Sequence, residues 1–505
     1  MPQKIEYPEL IIGIVGAVGT DLKSATKLIK DELNILGYSS EEIRISKILS
    51  EFEHFKHLKN LSKNEAERIA AFMKAGDDLR KKVKRPEAMA TLAVGAIRQI
   101  RKVLSGAEER PVTKHAYILN SLKRPEEISL LKRIYGDLFL QFSIYTPREK
   151  RKEALAKKIC RTVGGTNHLD YTDQAEELIN KDDKSGHKDY GQNVQDAFAT
   201  ADFYIKDLGD NGTRDQIQRV LNTFFGHPFI TPSQDEFGLY FANAAARRSA
   251  DLSRQVGAAI LSEHGDIISV GCNDVPKYGG GIPWEGDKGD FRDFIIGKDQ
   301  NVSTKDDLVK ELLGKLKDVG WLNEEMSEKE ALDLAKEALY SSDAPLKGTR
   351  VASLIEFGRI VHAEMNALMD ATRQGTKVAN ATLYCTTFPC HMCARHIIAA
   401  GIKRVVFVEP YPKSMAEALY SDLAAIDELN STEQKVSFES FVGISPNKYD
   451  KLFAKGTRKT KDGYAIDWDT MRKTPTVDIF RESYVDSETV VTGSLESIQE
   501  TLGQT

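Results

Sequence analysis

Apolar and polar positions divide this chain into two regions of different rhythm. In the first, short apolar runs alternate with amphipathic stretches. Leu10 to Val15 is an unbroken run rich in Ile and Val, which predicts a buried strand. A turn punctuated by glycine follows, Gly16-Ala-Val-Gly19-Thr20-Asp21. Leu22, Ala25, Ile29, Leu33 and Leu36 then recur at helical spacing, predicting a helix over 22–36 that Gly37 closes. His115 to Asn120, Leu138 to Tyr145 and Ala201 to Ile205 predict three further strands. Strands alternating with helices predict a mostly parallel sheet.

The rhythm changes near residue 230. Pro228 and Pro232 bracket a linker, and Ser233 suits the cap of a helix over 235–249. Two strands are predicted at 256–261 and 267–271, then an insertion from about 276 to 350 with Gly279-Gly280-Gly281 and helical patterns at 308–316 and 328–340. A helix begins near His362, followed by a strand at 381–386, a helix from Cys390 and a strand at 404–409. The expected division is therefore one domain over 1–230 and another over 231–505. The tail beyond about 440 is mixed and polar, and its pattern does not place it. Charged stretches at 80–85, 148–161 and 181–189 read as solvated helix faces or loops. A sharper reading makes the last two a lid over phosphates.

Composition narrows the classes. A chain of 505 residues, 41% hydrophobic and 29% charged, can bury real cores. With 70 Lys+Arg against 75 Asp+Glu the net charge is -5, which argues against a chain-wide cationic surface for non-specific nucleic-acid binding. The longest nearly unbroken apolar run, Leu10 to Gly19, is short of the ~20 residues that span a bilayer. The first residues show no signal-peptide pattern. Five cysteines make no disulfide framework and fit a reducing cytoplasm. The expectation is a cytoplasmic protein with no membrane partner.

Two of those cysteines carry the chemistry. His362-Ala363-Glu364 is followed by Pro389-Cys390-His391-Met392-Cys393. A catalytic zinc site needs three protein ligands and an open position for water. His362, Cys390 and Cys393 supply one nitrogen and two sulfurs. The cysteines are three apart at a predicted helix start, hence on one face, and the helix N-terminus favours the thiolate. Glu364 is close enough to His362 to sit over the open position without binding metal. There it can act first as base and then as acid. A structural zinc would want a fourth ligand, for which His391 and His396 are the nearby candidates. The His391 ring, inside the CxxC, would tend to point away, and His396 would need a bent helix. The pattern is the H-x-E…P-C-x-x-C of zinc nucleobase deaminases.

The segment from about 235 to 445 resembles the deoxycytidylate deaminase group of the cytidine-deaminase-like fold. Ser253-Arg-Gln-Val-Gly-Ala-Ala-Ile260 is similar to that group's first strand motif, and Gly271-Cys-Asn-Asp-Val-Pro276 to its G-x-N-x-x-P loop, with Pro283-Trp284 following. The resemblance implies that Asn273 contacts the substrate nucleoside and that Ser253, Arg254 and Gln255 lie near its phosphate end. Lys413, in Glu409-Pro-Tyr-Pro-Lys413-Ser414, is a further candidate for phosphate. The insertion could form an effector site, a lid or oligomer contacts.

The first region resembles a P-loop nucleotide kinase. Gly13, Gly16, Gly19, Thr20 and Asp21 lie between a strand and a helix, where backbone N–H groups can cradle phosphate. Thr20-Asp21 stands where the full pattern has Lys-Ser/Thr, so a lysine is missing that Lys23 or Lys27 would have to replace. Ala116 to Pro125, the arginines Arg148 and Arg151, and Ala201 to Ile205 are similar to later parts of such a kinase, with Asn120 near the place of the expected magnesium-side acid. The expected fold class is α/β: an N-terminal, degenerate P-loop NTPase-like three-layer domain plus a C-terminal cytidine-deaminase-like α/β/α sandwich. That pairing resembles the bacterial anti-phage dCTP deaminases. The resemblance implies a zinc enzyme that hydrolyses dCTP and dCMP to dUTP and dUMP and starves phage replication. It also implies homo-oligomers, an NTP at the first domain and, in some members, a small regulatory RNA. The alternatives are a tRNA or DNA base deaminase, and a nucleotide-sensing protein whose zinc is structural.

Overall fold

Leu10–Val15 has no polar side chain, so it belongs in the middle of a sheet with both faces covered. In the computed structural model, which describes residues 4–61, 64–184, 190–341, 343–411, 414–427, 434–495 and 498, all six of its residues are buried. This strand, β1, pairs in parallel with β3 (His115–Leu122) on one side and β4 (Phe139–Tyr145) on the other. β2 (Ser39–Arg44) extends the sheet beyond β3, and β5 (Phe203–Lys206) extends it beyond β4, both in parallel. β2 was not expected from the sequence. Its Ser-Ser-Glu-Glu-Ile-Arg has one buried residue, because an edge strand needs little apolar surface.

The helices that follow these strands include α1 (Leu22–Ile35), α2 (Glu65–Val83), α3 (Ala88–Ser105), α4 (Arg148–Val163), α5 (Thr172–Lys184) and α6 (Asp210–Phe224). The charged stretches at 80–85 and 148–161 fall in or at the ends of α2 and α4. Of the stretch at 181–189, residues 181–184 close α5 and 185–189 lie outside the described residues.

The chain divides into compact units at a different place from the expected one. The first unit is Met1–Glu236 together with Phe441–Thr505, and the second is Phe237–Ser440. The expected domain 231–505 is therefore corrected at its C-terminal end, where the tail returns to the first unit. A short strand, Gly443–Ile444, pairs antiparallel with β5 and closes that edge. The helix Tyr484–Thr492 brings Glu488 onto Arg101, which also holds Glu9, all three side chains fully buried. Tyr117 and Tyr484 both donate to Glu9 (3.1 and 3.0 Å). The tail's polar composition hid this, since its anchors are a buried ion cluster and a few scattered apolar residues such as Val477.

The second unit is a mixed six-stranded sheet, β10-β11-β9-β8-β6-β7, from β6 (Gly257–Leu261), β7 (Ile267–Cys272), β8 (Thr382–Thr387), β9 (Arg404–Glu409), β10 (Ala424–Ile426) and β11 (Val436–Ser440). β6 is antiparallel to β7 and β8, whereas β8, β9, β11 and β10 run parallel. α7 (Ala363–Arg373) and α8 (His391–Ala399) pack on it through Ala363, Ala367, Leu368, Cys393, Ala394 and Ile397. Gly271 permits this: a Cβ there would lie 2.3 Å from the Ala363 carbonyl oxygen. Among the described residues no helix is long and apolar enough to cross a membrane.

Candidate active site

Two helix starts face each other above the second sheet. His362 occupies the cap position of α7 in extended backbone, so its ring is held at the helix N-terminus and Glu364 falls in the first turn. Cys390 caps α8 in the same way and accepts the Cys393 N–H (3.5 Å). The His362 Nδ1 lies 3.3 Å from Cys390 Sγ and 3.4 Å from Cys393 Sγ. All three ligand atoms lie within 4.8 Å of one another, the only such group of three metal-ligating side chains among the described residues. The His391 ring turns away to Glu356 (3.2 Å), and His396 is not part of the cluster. One nitrogen and two sulfurs at this spacing fit zinc, with no fourth protein ligand in the group.

The electrostatics suit a cation. A hydrogen bond from Cys393, opposed by burial and helped by His362, holds the Cys390 thiol down to about 4. Burial works against charge on His362, yet the Cys390 thiolate outweighs it and raises the imidazole to about 8. The Cys393 thiol is pushed up, first by its bond to Cys390 and then by burial. Glu364 is buried, and burial raises its carboxyl while His362 draws it partly back.

A cavity of about 490 Å³ opens onto this cluster, within the ~300–1,000 Å³ usual for small-molecule sites. His362, Glu364, Cys390, Asn273, Ser253 and Arg254 all line it. Asn273 accepts the Val256 N–H (2.7 Å) and donates to the Arg254 carbonyl (2.9 Å), so it also fixes the stretch before β6 that forms one wall. The Ser253 hydroxyl is turned to Asp251, and Arg254 pairs with Glu409 (3.3 Å) and lies over the Tyr411 ring. Gln255 is not brought to the cavity: its amide donates to the Ser249 carbonyl (2.7 Å). Lys413 lies outside the described residues.

The sequence reading missed several lining residues. Asp293, Asp299 and Asn301 come from the insertion, which thereby supplies part of the wall. Asp299 caps the helix Gln300–Asp318, and Asn301 bonds Leu354 and Phe357. The place of Asp299 in the cavity wall was not legible, since that residue lies in a segment with no motif.

In the first unit, the loop 16–21 joins β1 to α1 as expected. Asp21 caps α1, accepting from the Ser24 N–H and hydroxyl. Gly13 and Gly16 are glycines for packing, a Cβ meeting Leu122 and Leu22 respectively, while Gly19 has φ +92 and lies against the Arg151 backbone. The Thr20 hydroxyl is buried without a partner. Lys23 and Lys27 are exposed on α1. Two cations meet the loop: Lys123, whose Nζ donates to the Gly16 carbonyl (3.0 Å), and Arg151, which donates to the Val18 carbonyl (3.3 Å).

With this geometry in hand, likeness to known proteins can be stated. Residues 232–409 match the family model described as the cytidine and deoxycytidylate deaminase zinc-binding region. That segment is similar to the zinc-binding region of cytidine and deoxycytidylate deaminases. Its cofactor is zinc, for which the family and the His362, Cys390, Cys393 cluster agree. Human deoxycytidylate deaminase is 45% identical over 174 residues, 34% of this chain and 63% of that protein. The deoxycytidylate deaminase of enterobacteria phage T4 is 44% identical over 54 residues, 11% of this chain and 28% of that one. The chain thus spans less than two thirds of each of these relatives. A dCMP deaminase from cyanophage S-TIM5, solved with dCMP and dUMP, aligns at 16% identity and a TM-score of 0.23, over 42% of this chain and 100% of that one.

Proposed function

We propose that this chain is a zinc-dependent hydrolase of free cytosine deoxynucleotides, converting dCTP and dCMP to dUTP and dUMP. The observation that carries the reading is a buried glutamate, Glu364, beside the His362, Cys390 and Cys393 cluster in one cavity. Zinc held by those three residues would supply a Lewis acid that makes water nucleophilic near neutral pH. The other tasks fall to side chains. Glu364 takes the proton of the attacking water and returns protons to the pyrimidine N3 and the departing amine. Its burial favours the protonated form, so it holds a proton readily between the two transfers. Water is consumed and ammonia released, with no redox change. Asn273 spends one amide hydrogen on the Arg254 carbonyl and keeps the other for a nucleoside hydroxyl. Arg254, with Ser253 nearby, faces the phosphate end, and Lys413 is a further candidate there.

The charge balance favours free nucleotides over a nucleic-acid polymer, since a net charge of -5 offers no chain-wide cationic surface for one. Asp251, Asp293 and Asp299 line the cavity, and Arg254 pairs with Glu409. Ammonia release from dCTP, dCMP and single-stranded DNA, with native protein and Glu364→Gln, tests the proposal. Turnover of the two nucleotides is expected from the native chain alone, while the variant keeps its zinc. Turnover confined to DNA would overturn the reading.

In the wider reading, the reaction lowers the cytoplasmic dCTP pool as an anti-phage defence. The first unit is then a P-loop kinase-like regulatory domain that takes an NTP. Homo-oligomerisation and a small regulatory RNA rest on the resemblance alone. Cellular dCTP and dUTP, followed through infection with the native chain or Glu364→Gln, test the defence role. An unchanged dCTP pool in infected cells carrying the native chain would end it.

A further inference from the structure

The glycine loop of the first unit is already answered by an anion from its own chain. The Val18 N–H donates to Asp182 Oδ2 at 2.7 Å. Lys123 Nζ lies 3.4 Å from each oxygen of the same carboxylate while donating to the Gly16 carbonyl. Asp182 is fully buried, and a lone buried carboxylate is costly unless charge and N–H groups meet it. The loop and Lys123 supply both, as they would for a phosphate oxygen.

The neighbouring arginines follow suit. Arg148 donates to Asp183 Oδ2 (2.7 Å) and to Asn180 (2.9 Å), and pairs with Glu176. Arg151 donates to the Val18 and Thr146 carbonyls. Glu176, Asp182 and Asp183 all ride on α5: Glu176 and Asp183, seven positions apart, share a helix face toward Arg148, and Asp182 lies about a quarter-turn away toward the loop. α5 packs with α2 and α4 in a small cluster of its own, through Ala66, Leu155, Ile159, Ala175, Leu178 and Ile179, apart from the main core of the unit. Its withdrawal would leave the sheet's core closed.

A second observation points to a ligand. A cavity of about 170 Å³ touches both Val18 and Lys123 and is also lined by Arg68, Arg80, Ser121 and Gln192. Gln192 is 7% exposed, and its Oε1 is buried without a hydrogen-bond partner; the Arg80 Nε is likewise unpartnered. Buried polar atoms lining a cavity beside an anion-holding loop are groups awaiting a partner.

We infer that the carboxylates of α5 are an internal stand-in for a polyphosphate, and that a nucleoside triphosphate binds the first unit by displacing Asp182 from Val18 and Lys123. This rests on reading the loop 16–21 as a phosphate loop. The bound chain takes the Val18 N–H, Lys123 and Arg148, and the nucleoside enters the cavity at Gln192 and Arg80. Regulation follows from the competition, because anything that draws α5 away opens the site.

The test is calorimetry on the full-length protein with inorganic tripolyphosphate and with ATP, comparing native chain and Asp182→Asn. The variant is expected to bind tripolyphosphate at least tenfold more tightly, and ATP more tightly than tripolyphosphate. Equal, measurable binding by native chain and variant overturns the stand-in and leaves the phosphate loop intact. No binding by either overturns both. ATP no tighter than tripolyphosphate removes the cavity from the proposal. Should Asp182→Asn fail to fold, judged by zinc content and circular dichroism, Asp183→Asn carries the test. Its side chain is a third exposed, and a gain of threefold or more is expected. An unchanged affinity overturns the stand-in.

Discussion

The glycine loop of the first unit and the zinc cluster of the second are built alike and used oppositely. Each places functional groups at the N-terminus of a helix, where N–H groups and the helix dipole favour negative charge. In the second unit the negative group is the Cys390 sulfur, which converges with Cys393 and His362 on space for a cation and with His362 lines a cavity. In the first, the charges at the loop are the carboxylates of Asp21 and Asp182, each bonded to the chain's own N–H groups. The lesson is that a helix start specifies the sign of what gathers there, whereas the side chains decide whether that charge is presented to a ligand or consumed within the fold.

Breaking the cluster should have the largest effect. Cys393→Ser is expected to abolish zinc binding at stoichiometric metal and to take ammonia release to background, with metal analysis and a coupled assay as the readouts. Next comes Glu364→Gln, expected to retain zinc and lose about 10²–10⁴ in kcat, the range of a lost general acid–base. A variant within tenfold of native kcat would move the proton transfers to another residue. Gly271→Val comes third, because its side chain must push the Ala363 carbonyl and with it His362 and Glu364. A misplacement of an ångström there is expected to cost about 10²-fold in kcat.

The first unit should respond in stability. Arg101→Met leaves Glu9 and Glu488 buried without their cation, which costs about 3–5 kcal/mol when one partner of a buried pair is removed. Denaturant unfolding should show the loss while zinc content stays unchanged. The smallest effect belongs to Arg254→Ala. Its pair with Glu409 is about half exposed, so the stability change should stay under about 1 kcal/mol, and a rise in KM for dCMP would be its main signature.

How far the sequence carried this picture depends on where the relevant force is local. β1, β3 and β4 were legible because buried parallel strands must be apolar throughout. The metal ligands were legible because a thiol pair three apart at a helix start has few other uses. β2 was hidden by its polar edge character. The packing of the tail on the first unit was hidden because Glu9, Arg101 and Glu488 are far apart in the chain and charged residues usually sit outside. The resemblance put Gln255 near the phosphate end with Ser253 and Arg254, yet its amide bonds the Ser249 carbonyl, a local contact that no motif announces. The Asp182 contact with Val18 was out of reach, since a carboxylate in a charged stretch gives no sign that it will be buried against a loop.

The return of residues after 440 to the first unit makes the zinc-binding unit an insertion in another unit's chain. During synthesis the ribosome therefore releases every residue of the inserted unit before the outer one has its last helix. Until Gly443–Ile444 emerges β5 lacks its closing strand, and until Glu488 follows the nascent chain holds Arg101 with half its counter-charge. A message broken after codon 440 would then yield a zinc-binding unit with all its own residues, joined to a first unit that can never be finished.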